Sequence, residues 1–139
     1  MLILLHCFLL QLTKNSLARL DLYGIAAVAW TLLIAVLCLV SFKQLPSIGI
    51  GGADKYVHGT FHFIFTGLWF LYFRKHGPVY KVLWRVAIVS FLYGIIIEIA
   101  QELFTTTRHA DIYDVAANTT GTFAAMTIIM VYEACRKRN

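Results

Sequence analysis

Charge is scarce in this sequence. Lys, Arg, Asp and Glu make up 14% of its 139 residues, while 60% are hydrophobic. Ordinary soluble domains carry about 25% charged residues. The composition excludes a disordered chain and argues against a soluble domain, which at this size would leave much apolar surface uncovered. Cysteine is scarce too. Cys7, Cys38 and Cys135 lie far apart, with neither metal-ligand spacing nor the even count of a disulfide framework, so all three read as free thiols. Internal repeats and low-complexity tracts are missing, and the length allows one domain. A phosphate-binding loop is missing as well: the glycines of residues 46–52 follow no strand and read as an external loop.

Long apolar runs are what the chain has in abundance. Residues 22–42 carry no charge, and at about 1.5 Å per residue they reach roughly 31 Å, enough to cross the hydrocarbon of a bilayer. Residues 56–73 hold His58 and His62 but no acid, Lys or Arg. Residues 82–103 are apolar apart from Arg85 near the start and Glu98, Gln101 and Glu102 near the end. Residues 112–134 hold Asp114 and Asn118 early and Glu133 late. A helix satisfies its own backbone hydrogen bonds in lipid and an open strand does not. The expected fold is therefore all-α, a polytopic membrane protein with four transmembrane helices in a compact bundle. Residues 1–12 are apolar but short, and they lack the basic start and cleavage site of a signal peptide. Residues 1–21 are expected to be an interfacial or simple upstream segment, residues 22–135 the four-helix domain, and residues 136–139 a basic tail.

Lys and Arg set the expected orientation. Nine of them (Lys14, Arg19, Arg74, Lys75, Lys81, Arg85, Arg136, Lys137 and Arg138) fall on one side of the spans, and three (Lys43, Lys55 and Arg108) on the other. Both termini and the middle loop are thus expected in the cytoplasm. Tyr and Trp residues near both boundaries match an aromatic belt. The net charge of +5 is then explained by topology and anionic lipid, without nucleic acid as a partner.

The polar residues inside the runs gather at one depth. With alternating helix directions, His58 and His62, then Glu98, Gln101 and Glu102, then Asp114 and Asn118 all fall in the outer half. At about 100° per residue each set shares a side of its helix: Asp54, His58 and His62; Gly94, Glu98, Gln101 and Glu102; Asp111, Asp114, Asn118, Gly121 and Ala125. An ionised group facing lipid costs about 2.5–3.5 kcal/mol on insertion scales, so the stripes should face each other around a polar pocket open to the outside. Plainer readings stand beside this one. Asp54 also suits a helix cap, and His58 and His62 suit interfacial hydrogen bonding. Asp114 with Asn118 suits a buried structural pair, and Arg108 suits simple neutralisation of the acids. Trp30 and Trp69 read as packing residues. The i, i+4 histidine pair has metal-binding spacing, but acids are common nearby and no cysteine joins it, so neither a metal nor another cofactor is expected.

The sequence resembles the VanZ-like membrane protein family. The match lies in Asp54-Lys55-x-x-His58, Glu98-x-x-Gln101 and Arg108-x-x-Asp111-x-x-Asp114-x-x-x-Asn118-x-x-Gly121. Thr107 and Ala125 stand where the family commonly has glycine, and both are small. The resemblance implies a small helical protein of the bacterial cytoplasmic membrane, in a family whose founding member is tied to low-level teicoplanin resistance. Together these readings lead to an outward pocket that binds or processes a lipid-linked or cell-envelope anion. The expected partners are membrane lipids and a lipid-linked envelope precursor. Lys55 and Arg108 would bind phosphate or carboxylate. His58 and Glu98 would exchange protons, with Asp114 orienting one of these groups. Asp54, Asp111, Gln101 and Asn118 would complete the ligand site. A small proton-linked transporter and a non-catalytic assembly subunit are the alternatives. The first fits intramembrane Glu and His; the second fits the small stripe of Ala117, Gly121 and Ala125.

Overall fold

The computed structural model describes residues 22–39, 53–105 and 110–138. The expected amino-terminal segment, the external loop of residues 46–52, Cys7 and Arg108 lie outside these residues. The described chain forms four helices and no strand: α1 (Leu22–Leu39), α2 (Ala53–Phe73), α3 (Val79–Phe104) and α4 (Ile112–Arg136). Three of them, α1, α3 and α4, are long and apolar enough to cross a membrane. The expectation of four spans therefore holds for the helices but not for α2 on apolarity alone. Two histidines, Asp54 and Lys55 at its start, two glycines and two threonines dilute α2. Its two histidines are buried against the other helices, so its polarity is turned inward rather than toward lipid.

Local chemistry sets the ends. Pro78 precedes α3 with φ −58°, the value its ring enforces, and its carbonyl accepts the Val82 N–H at 3.1 Å. Asp111 caps α4, accepting the Tyr113 N–H at 2.8 Å, which satisfies one of the orphan donors of the first turn. Arg136 lies in the last turn of α4, where the helix dipole favours a cation.

The four helices alternate in direction. Gly24 at the start of α1 lies against Tyr72 near the end of α2, and Cys38 at the other end of α1 meets Gln101 near the end of α3. One end of the bundle thus collects the start of α2, the end of α3 and the start of α4; it is the polar end. The opposite, basic end collects Arg74, Lys75, Lys81, Arg85, Arg136 and Lys137. There Glu133 is buried and pairs with Arg74 at 3.7 Å and Arg136 at 2.7 Å. Two apolar clusters fill the interior. Phe70, Val82, Leu83, Val86, Ala87 and Met126 join α2, α3 and α4, while Ile34, Cys38, Phe65 and Ile97 join α1 to α2 and α3. Trp30 donates to the Phe61 carbonyl at 3.0 Å and Trp69 to the Thr31 hydroxyl at 3.2 Å, so both tryptophans pack the α1–α2 seam as expected. Neither Cys38 nor Cys135 forms a disulfide.

The pairing that matters most for the site is α2 with α4, the most extensive among α2, α3 and α4. Gly121 sits so close to α2 that a Cβ there would overlap the Gly59 carbonyl. With glycine at both positions the backbones meet directly, and the side chains one or two turns toward the polar end are pressed together.

Candidate functional site

His58, Glu98 and Asp114 converge from α2, α3 and α4. All three are buried, at 3%, 3% and 8% exposure. The imidazole lies between the carboxylates: His58 Nδ1 is 3.8 Å from Glu98 Oε1, and Nε2 is 3.7 Å from Asp114 Oδ2. These distances allow ionic attraction but exceed ordinary hydrogen-bond lengths.

The outer oxygens of the two acids are held from outside the cluster. Glu98 Oε2 accepts the Asp111 backbone N–H at 3.0 Å. Asp114 Oδ1 accepts from the Lys55 ammonium at 3.2 Å. Lys55, only partly exposed, also donates to Asp111 at 2.9 Å and to Asp54 at 3.4 Å. The Lys55 ammonium, with the Tyr113 N–H, holds the Asp111 carboxyl below its ordinary value. Glu102 accepts the Ala110 N–H at 2.9 Å and so fastens the end of α3 to the approach of α4. The inner oxygen Oε1 of Glu98 is buried without a hydrogen-bond partner among the described residues.

Of the residues expected from sequence, His58, Glu98 and Asp114 meet directly, and Lys55, Asp111 and Asp54 form a layer over them. Two expected ligand contacts are placed differently. Gln101 turns to α1 and donates to the Cys38 carbonyl at 3.1 Å, because its side of α3 is covered by α1. Asn118 lies one turn deeper than Asp114, buried opposite Gly94, with neither amide atom hydrogen-bonded among the described residues. The Gly59–Gly121 approach brings the α2 and α4 backbones into direct contact just beneath the cluster. A cavity of about 420 Å³ does lie between α2 and α3, but it is lined by Phe65, Trp69, Phe73, Val82, Val86 and Val89, with Arg85 and His76 marking the basic end.

Sequence reasoning passed over the inward continuation of the site. His62 Nδ1 is 2.8 Å from the Ser90 hydroxyl, which is 2.8 Å from Thr122 Oγ1. Thr122 in turn donates to the Asn118 carbonyl at 3.1 Å. The signal was present: Ser90 is one turn before Gly94, and Thr122 one turn after Asn118, each extending a stripe already read. His62 is thereby engaged away from His58, and the i, i+4 histidine pair does not act as one unit.

Comparison with protein-family models matches residues 2–133 to VanZ/LLP1. The chain belongs to the VanZ/LLP1 family. The match covers nearly its whole length and takes in the stretch before α1 as well as all four helices. Comparison with curated proteins and with solved structures finds no match. Every described residue that carried the family resemblance, apart from Gln101, lies in the α2–α4 layer or directly beneath it.

Proposed function

We propose that this VanZ/LLP1 protein spans the bacterial cytoplasmic membrane four times with both termini in the cytoplasm, and that its polar end binds or processes a lipid-linked or cell-envelope anion. The observation that carries this reading is the burial of His58, Glu98 and Asp114 against one another from three helices, beneath the half-exposed ammonium of Lys55. Ionisable groups are expensive at membrane depth and are kept there for function. Lys55 and Arg108 supply the positive charge for phosphate or carboxylate, His58 and Glu98 move a proton, and Asp114 holds His58 in place. The basic end faces the cytoplasm on the same argument that sets orientation by Lys and Arg.

The family's link to teicoplanin supplies a cellular readout. Glu98→Gln and Arg108→Ala are expected to abolish any teicoplanin or envelope phenotype conferred by the wild type while leaving membrane insertion and yield intact. Variants that insert normally and keep the full phenotype contradict the assignment.

One observation favours a second reading, a small proton-linked transporter. The polar groups continue inward from Asn118 and His62 to Ser90 and Thr122, past the residues that the sequence grouped in the outer half. Proton-coupled flux into reconstituted vesicles, lost in Glu98→Gln, would favour it over the anion site.

A further inference from the structure

We infer that His58, Glu98 and Asp114 are the protein ligands of one divalent transition-metal ion. One nitrogen of His58 and one oxygen from each carboxylate all lie within 4.8 Å of one another, and all three residues are buried. Donors about 2.1 Å from a tetrahedral ion stand about 3.4 Å apart, and three atoms within 4.8 Å of one another close on an ion by rotation of the imidazole and the carboxylates. The present contacts run to opposite ring nitrogens, 3.8 Å from Nδ1 to Glu98 and 3.7 Å from Nε2 to Asp114, of which one would ligate. They are too long for the imidazole to hydrogen-bond to either acid as it stands. The carboxylates are also divided in the way metal ligands are. Each has one oxygen fixed by a donor outside the cluster, Asp111 N–H for Glu98 and Lys55 for Asp114, and the other turned to His58. Such outer partners orient ligands and are part of a metal site. A separate observation points the same way: Glu98 Oε1 is buried, aimed at His58, and without a hydrogen-bond partner among the described residues, and a buried acceptor left so is costly. Glu98, Asp111 and Asp114 further set three carboxylates against the single ammonium of Lys55 among the described residues, an imbalance that a dication offsets.

The donor set selects the ion. Carboxylates alone suit magnesium or calcium, whereas an imidazole with two carboxylates suits zinc, manganese or ferrous iron. Three protein ligands leave a coordination position open, which an anion oxygen can take. The inference thus deepens the anion-site reading, resting on it for the role of the ion but not for its presence; in the metal-bound state His58, Glu98 and Asp114 act as ligands in place of the proton exchange.

The test uses the full chain in detergent, stripped with chelator, dialysed against Zn2+ or Mn2+ alone, and assayed by elemental mass spectrometry. About one ion per chain is expected in the wild type. Glu98→Gln, Asp114→Asn and His58→Ala should each lose it, and Arg108→Ala and His62→Ala should keep it. A monodisperse wild type that retains neither ion overturns the inference, as does binding that survives all three ligand variants. If the wild type binds no ion yet Glu98→Gln and Arg108→Ala abolish the envelope phenotype, the anion site stands without the metal. If the ion binds and the phenotype survives in Arg108→Ala, the metal stands and the anion site falls.

Discussion

At the scale of single residues, the site is built from groups that each do two things. Asp111 caps α4 through its side chain, pairs with Lys55, and offers its backbone N–H to Glu98. Its carboxyl is held below the ordinary value by Lys55. A carboxyl depressed in the folded state adds stability that is present above its unfolded value, about 3.9, and is lost as pH falls through the folded one. Asp111→Asn keeps a capping oxygen and removes the charge. Thermal unfolding in detergent should therefore show this variant below the wild type at neutral pH, with the gap closing as pH falls below the unfolded value of about 3.9. A gap that stays constant with pH would assign the effect to the cap instead. Much at this scale was legible in the sequence. The spacings of His58, Glu98 and Asp114 put each on the inward side of its helix, and a rule about the cost of charge in lipid required them to meet. The fate of Gln101 was not legible. Periodicity tells which side of α3 it occupies, but not that α1 covers that side.

At the scale of the helices, approach distance governs the site. Apolar length located all four elements, and α2 begins early enough for Asp54 and Lys55 to stand in its first turn. The small residues of α4 signalled a close neighbour; they did not say that the neighbour is α2 or that it meets Gly121 at Gly59. That contact depends on how four helices share space, which no single stripe encodes. Gly67 gives the internal comparison: it sits in the same helix with open space around its Cβ position. Gly121→Ala is expected to push α2 and α4 apart and to lower stability by about 1–3 kcal/mol. Gly67→Ala is expected to be neutral or stabilising by up to about 1 kcal/mol. Unfolding curves for the two proteins in one detergent measure the difference, and equal tolerance of both substitutions would contradict the close α2–α4 contact.

At the scale of the molecule, the bundle buries polar groups beside its apolar clusters and turns large apolar side chains outward. Leu22, Ile25, Leu32, Ile96, Leu103 and Ile128 are exposed, while His58, His62, Ser90, Glu98, Asn118 and Thr122 are buried. An apolar outer surface with ionisable groups turned inward suits a lipid-embedded fold. Charge is sorted along the bundle as well, with an acidic and histidine-bearing end opposite a basic one. Composition and the Lys/Arg pattern made both features readable in advance. The buried pairing of Glu133 with Arg74 and Arg136 was less so, because a late acid in an apolar run looks like a boundary residue until the neighbouring helix end is known. All functional claims rest on the meeting of three helices at one buried point. An experimental structure in a lipid nanodisc measures that directly. His58, Glu98 and Asp114 should lie side by side, shielded from lipid, with Lys55 over them. Density showing Glu98 and Asp114 turned apart, toward lipid or bulk water, would contradict the account.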